Sequence, residues 1–222
     1  MNETRIILRE AEEFIKVEHH SGGTVRVKQI CAGDLTECIK HAYRNIVYTS
    51  GLLPANCLAV NHFEQNEKSL VIRHSERYAD ITYFDTLYEH FPVPQLLFGF
   101  RVTASGRIMS SYIAVVGPEK TLRPESSLYV YPFSNVYSNF RVCTGSNTFP
   151  EAKSLHTLGS IPYYILGMPN NMDHYDRTKN RQGWEMRELL ERVKDKPPEY
   201  YYSDVLIESG KSLSDFLKEV AS

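Results

Sequence analysis

Between residues 68 and 116 the chain lays down four β-rich stretches: 68–74 (KSLVIRH), 80–84 (DITYF), 95–103 (QLLFGFRVT) and 107–116 (RIMSSYIAVV). Ala104-Ser105-Gly106 joins the last two through a tight turn. Consecutive short strands with short connections pair with their neighbours, so an antiparallel meander is expected. Pro92 and Pro94 would break a central strand but suit the start of one. Few folds accommodate such a run without helices to cover the sheet.

Those helices are legible elsewhere. Asp34 is a good N-cap, and Leu35, Cys38, Ile39, Ala42 and Tyr43 follow at helical spacing, which predicts an amphipathic helix over 35–46 with Cys38 on its buried stripe. Met186, Leu189, Leu190 and Val193 repeat the pattern behind Trp184, and Pro197-Pro198 closes the helix. Ser212 with Asp215 three residues on forms a variant of the capping box ahead of Leu213, Phe216, Leu217 and Val220, a face expected to dock on the body. The N-terminal stretches 5–8 and 13–30 read as strands, the latter a hairpin about Ser21-Gly22-Gly23. The fold class is therefore α+β. Residues 1–70 are expected to form a hairpin-and-helix extension, and 71–222 a core with C-terminal helices.

Composition narrows the function. The 222 residues carry 25 Lys+Arg against 27 Asp+Glu, a formal net charge of -2, which excludes a chain built to coat nucleic acid. No apolar run approaches the roughly 20 residues of a membrane span, and nothing in the charged N-terminus addresses the chain out of the cytoplasm. Cys31, Cys38, Cys57 and Cys143 form no C-x-x-C pair, so neither a zinc site nor a redox dithiol is expected. Each thiol is then a small buried hydrophobe or a working nucleophile, and three of the four are expected in the first class.

Cys143 has the most distinctive surroundings. After residue 116 the chain turns polar through VGPEKTLRPESS and then aromatic through LYVYPFSNVYSNFRVCTGSNTFP, with little periodicity. A long irregular segment inside a compact domain is usually functional. Within it an extended aromatic stretch leads to a turn at Ser138-Asn139, a short strand delivering Cys143, and a second turn at Gly145. In an extended chain Arg141 projects on the same side as Cys143, and a neighbouring cation favours the thiolate.

This segment resembles the active-site stretch of ubiquitin-conjugating enzymes, in which a His-Pro-Asn triplet and Val/Ile-Tyr precede a turn and the thioester-forming cysteine. Here Asn135-Val136-Tyr137 is followed by Arg141-Val142-Cys143, with Cys143 eight residues after Asn135. The run Leu128-Tyr129 to Tyr137, then Cys143-Thr144-Gly145-Ser146, with Pro94-Gln95-Leu96-Leu97-Phe98 and Arg123-Pro124 upstream, is similar to the divergent prokaryotic branch, family D. That branch includes PRTRC system protein B and members of bacterial ubiquitin-like conjugation operons. Phe133-Ser134 replaces His-Pro, and Phe140 stands at the usual turn glycine, where Asn139 is expected to supply a left-handed conformation instead.

The resemblance implies a carrier enzyme: Cys143 accepts a ubiquitin-like protein as a thioester from an adenylating activating enzyme and passes it to a lysine amine of a target protein. Asn135 would stabilise the oxyanion or hold the loop. Asp173 and His174, in the polar stretch 167–180, would flank the site and help deprotonate the amine, with Arg141 and Tyr137 in supporting positions. A JAB-type protease encoded nearby, a setting in antiphage defence, and the absence of cofactor, metal, nucleic-acid or membrane partners are also implied. Two other readings stay open: a non-catalytic relative that uses the groove for binding, and a cysteine hydrolase pairing Cys143 with His156 or His174.

Overall fold

The computed structural model describes residues 3–10, 12–43, 50–75 and 77–222. It divides into two compact units, Met1–Thr49 and Ser50–Ser222. The first holds a three-stranded antiparallel sheet, β1 (Glu3–Ile7), β2 (Ile15–Ser21) and β3 (Thr24–Ile30), followed by helix α1 (Ala32–Tyr43). Ser21 faces Thr24 across Gly22 and Gly23, which take φ of +56° and +79°. That is the primed turn the glycine pair calls for.

Two sequence expectations for α1 need correction. Its first turn is capped at Cys31, whose carbonyl accepts from the Leu35 N–H at 3.2 Å and whose sulfur accepts from the Asp34 N–H at 3.3 Å. Asp34 therefore sits inside the helix, where its charge suits the positive end of the dipole. Cys38 is exposed, as is Ile39. The apolar stripe has no core beneath it, because none of the described residues of this unit is buried. Residues 44–46 of the expected helix lie outside the described residues.

The second unit is built on a six-stranded antiparallel sheet in the order β11-β10-β9-β8-β5-β4. Its strands are β4 (Cys57–His62), β5 (Lys68–Arg73), β8 (Leu96–Val102), β9 (Ile108–Val116), β10 (Ser127–Tyr129) and β11 (Glu208–Ser212). The expected meander is interrupted. Residues Tyr78–Tyr83 (β6) and Thr86–Pro92 (β7) leave the sheet as a separate two-stranded hairpin, so β5 pairs directly with β8. Pro92 ends β7, and Pro94 precedes β8.

Strand β8 is nearly continuous in apolar residues because both of its faces are covered. On one face Leu97, with Val71, Tyr112, Ala114 and Val116, meets Leu213, Phe216 and Val220 of helix α4 (Leu213–Ala221). That helix starts on a full capping box between Ser212 and Asp215, as expected. Gly99 permits the close crossing: a Cβ there would lie 2.4 Å from Val220 Cγ2. On the other face Leu96, Phe98 and Phe100 belong to the main core, together with α2 (Ile161–Leu166), α3 (Met186–Val193) and the fully buried Phe133.

Candidate functional site

The aromatic segment after β10 enters the core before it reaches the surface. Phe133 stands edge-on to Phe91, Tyr131 and Tyr201 at 5.3–6.2 Å between ring centres. Burying so large a ring fixes the chain that follows. Ser134 is buried too: its hydroxyl donates to Asn170 Oδ1 at 2.8 Å and accepts from the Asn171 N–H at 3.3 Å. Phe133-Ser134, which replaces His-Pro, thus anchors the loop through the core and through the downstream 169–173 segment.

Asn135 takes the left-handed conformation, φ +62°, which asparagine tolerates better than most side chains. Its N–H donates to the Asp173 carbonyl at 2.8 Å, and its carbonyl accepts from the Cys143 N–H at 2.7 Å. Its side-chain amide donates to the Pro169 carbonyl at 3.1 Å. One residue therefore ties the cysteine strand to the downstream loop. Lys179 completes the brace: its ammonium donates to the carbonyls of Phe133 at 3.2 Å and Val136 at 2.9 Å, on either side of the Ser134-Asn135 pair. Burial pushes that amine down to about 8, against the opposing pull of Asp176.

The turn at Ser138-Asn139 forms, closed by the Phe140 N–H on the Tyr137 carbonyl at 3.0 Å and by the Tyr137 N–H on the Arg141 carbonyl at 2.9 Å. The left-handed residue is Phe140 itself, φ +72°, and not Asn139. Tertiary packing explains the correction. The Phe140 ring is buried 5.3 Å from Phe216, Lys211 lies over it, and its carbonyl accepts from Ile113 of β9. Asn139 instead donates from its amide to Glu219 of α4 at 2.9 Å.

Arg141 bridges to Tyr112 and Val142 to Val136, so the short strand extends the sheet edge at β9. Val142 is buried, whereas Arg141 is exposed and Cys143 half-buried, the alternation of an extended chain. Cys143 opens on a cavity of about 460 Å³ with Tyr137, Asn139, Arg141, Thr144 and Gly145. The Tyr137 phenol is held above its ordinary pKa, chiefly by its interaction with the Cys143 thiol; Arg141 opposes this and Asp173 adds to it. The Tyr137 ring meets the His174 ring in a tilted arrangement, 3.9 Å between centres.

The six residues singled out from the sequence are thereby brought together: Cys143, Asn135, Tyr137 and Arg141 on one loop, Asp173 and His174 on the segment it docks against. His156 is elsewhere, in a cavity with Pro54, His74 and Tyr163. Cys31 and Cys38 are exposed in the first unit, and Cys57 lies on β4 with its thiol pushed up by burial. Among the described residues no three His, Cys, Asp or Glu side chains converge as a metal site would require. Sequence reasoning missed Ser134, Pro169, Asn170 and Lys179. A small polar residue between Phe133 and Asn135 was the available signal for the first; the other three act through bonds to distant backbone or side chains and left none.

No helix among the described residues is long and apolar enough to cross a membrane. The chain matches no curated protein and no solved structure. Residues 31–209, well over half of its length, match the family model described as Prokaryotic E2 family D. With that match added to the Asn135–Cys143 loop, the chain belongs to prokaryotic E2 family D.

Proposed function

We propose that this protein is a conjugating enzyme that carries a ubiquitin-like protein as a thioester on Cys143, receives it from an adenylating activating enzyme and transfers it to a lysine of a target protein. Family membership ties the chain to ubiquitin-like conjugation. The observation that carries the finer reading is the single hydrogen bond from the Cys143 N–H to the carbonyl of a left-handed Asn135, because it fixes the nucleophile beside the asparagine that stands at the family's motif position.

In the first step the Cys143 thiolate attacks the carrier's thioester carbonyl; a new S–C bond forms and the upstream enzyme's cysteine leaves as thiolate. In the second the target amine attacks, a C–N bond forms, Cys143 leaves and the amine proton is lost. His174, whose ring centre lies 3.9 Å from that of Tyr137, and Asp173, whose carboxylate acts on the Tyr137 phenol, are the bases of the site. Both steps pass through an oxyanion, and a positioned amide N–H lowers its energy by about 3–4 kcal/mol in other enzymes. Asn135 uses one amide hydrogen to hold Pro169 and has a second to give. The hydrolase reading has less support, since the His174 ring packs against Tyr137 and His156 lines another cavity.

The test is a non-reducing gel after incubation with a cognate activating enzyme, ATP and the ubiquitin-like protein. The expected result is a thiol-sensitive adduct, absent in Cys143→Ala and converted to a thiol-resistant ester in Cys143→Ser. No adduct from an activating enzyme that is itself charged would end the proposal, and free carrier released from a conjugate would point to hydrolysis.

A further inference from the structure

Immediately behind the cysteine strand lies a second cavity of about 320 Å³, lined by Arg107, Ser111, Arg141, Val142, Thr144 and Glu151, among others. Val142 and Thr144, the two neighbours of Cys143, form part of its wall. Three observations make it more than a surface hollow. The Ser111 hydroxyl is buried, 2% exposed for the residue, and has no hydrogen-bond partner. A buried polar group without a partner is unfavourable in the free protein, and such groups point to something that binds them. Arg107 and Arg141 are exposed, and neither is among the described ion pairs. Glu151 is the sole acid on the wall, so the lining is net cationic.

Along β9 the outward-facing groups of Ser111 and Ile113 are engaged by Val142 and Phe140. Met109, which also lines the cavity, lies at the bulge between the Arg101–Ser110 and Val102–Ile108 pairs of β8 and β9. The cysteine strand then turns off to bond Asn135.

We infer that this cavity is a carboxylate subsite: it receives an acidic side chain of the acceptor protein, near the lysine presented to Cys143, between the Arg107 and Arg141 guanidiniums, with the Ser111 hydroxyl as its inner donor. Guanidinium forks match carboxylates in geometry and charge. The word acceptor rests on the function proposed above; the binding does not.

The experiment is an NMR titration of the full chain, uncharged, with a short blocked peptide carrying a lysine closely followed by a glutamate, and with its glutamine counterpart. The glutamate peptide is expected to shift amides of 107–111 and 141–149, and the glutamine peptide to bind on the order of fivefold more weakly, as an exposed ion pair would set. Arg107→Ala should abolish the difference between the two peptides. Ser111→Ala should weaken the glutamate peptide while raising the melting temperature, since it removes the orphaned hydroxyl; a merely structural serine would lower it. Equal shifts from both peptides, full displacement by millimolar inorganic phosphate, or a lower melting temperature for Ser111→Ala would overturn the subsite. Glutamate-dependent shifts without any Cys143 adduct would leave the subsite standing and remove the conjugating role.

Discussion

At the residue scale the loop depends on a lysine that no motif marks. The Lys179 amine has three hydrogens when charged and two when neutral, and it serves two carbonyls, so both protonation states can hold the loop. Lys179→Met keeps the length and removes the donors. It should destabilise the protein by about 2–3 kcal/mol, the cost of leaving such groups unpaired, and slow transfer from Cys143 more than it slows charging. The pH dependence has a definite sign. An amine held at about 8 when folded binds fewer protons there than in the unfolded chain, so its contribution to stability rises between about 8 and the ordinary lysine value near 10.4. Urea melts at pH 7.5 and 9.5 should show the wild type gaining on Lys179→Met as pH rises; a constant difference would refute the assignment.

Among the elements, the turn before the cysteine shows packing overruling local preference. A left-handed phenylalanine costs about 1–2 kcal/mol in backbone strain. Its ring is buried against Phe216, and losing such a side chain costs about 3–5 kcal/mol. The second quantity is the larger, so Phe140→Gly, which relieves the strain, is expected to lower stability by about 2 kcal/mol in chemical denaturation. A glycine variant as stable as the wild type would show that α4 does not hold the turn. The same comparison explains why Asn139, the better left-handed residue, was the wrong choice from sequence: its amide reaches Glu219 of the C-terminal helix, which local reading cannot see. The capping box at Ser212 and the apolar repeat of α3 were legible because both are decided within four residues.

For the whole molecule, the buried apolar side chains all fall at Pro54 or beyond, and none of the described residues of Met1–Thr49 is buried. A sheet and helix without buried apolar side chains cannot offset the entropy of ordering. A fragment spanning 50–222 is therefore expected to unfold cooperatively in urea with dispersed amide signals, and the isolated 1–49 fragment to show neither. A cooperative transition in the short fragment would contradict this.

What the sequence determined by itself is whatever rests on neighbours in the chain. The turn at Gly22-Gly23, the helical repeats of α3 and α4 and the eight-residue spacing from Asn135 to Cys143 depend on local sterics, periodicity and family pattern. Only the tertiary structure decided that β6 and β7 leave the sheet, that Cys38 finds no core, that Phe140 bears the strain, and that Ser134 and Lys179 brace the loop. The physical reason is common to all four. Burial and hydrogen bonding between distant segments exceed the roughly 1 kcal/mol by which local preferences differ, so where the chain meets itself at long range those preferences yield.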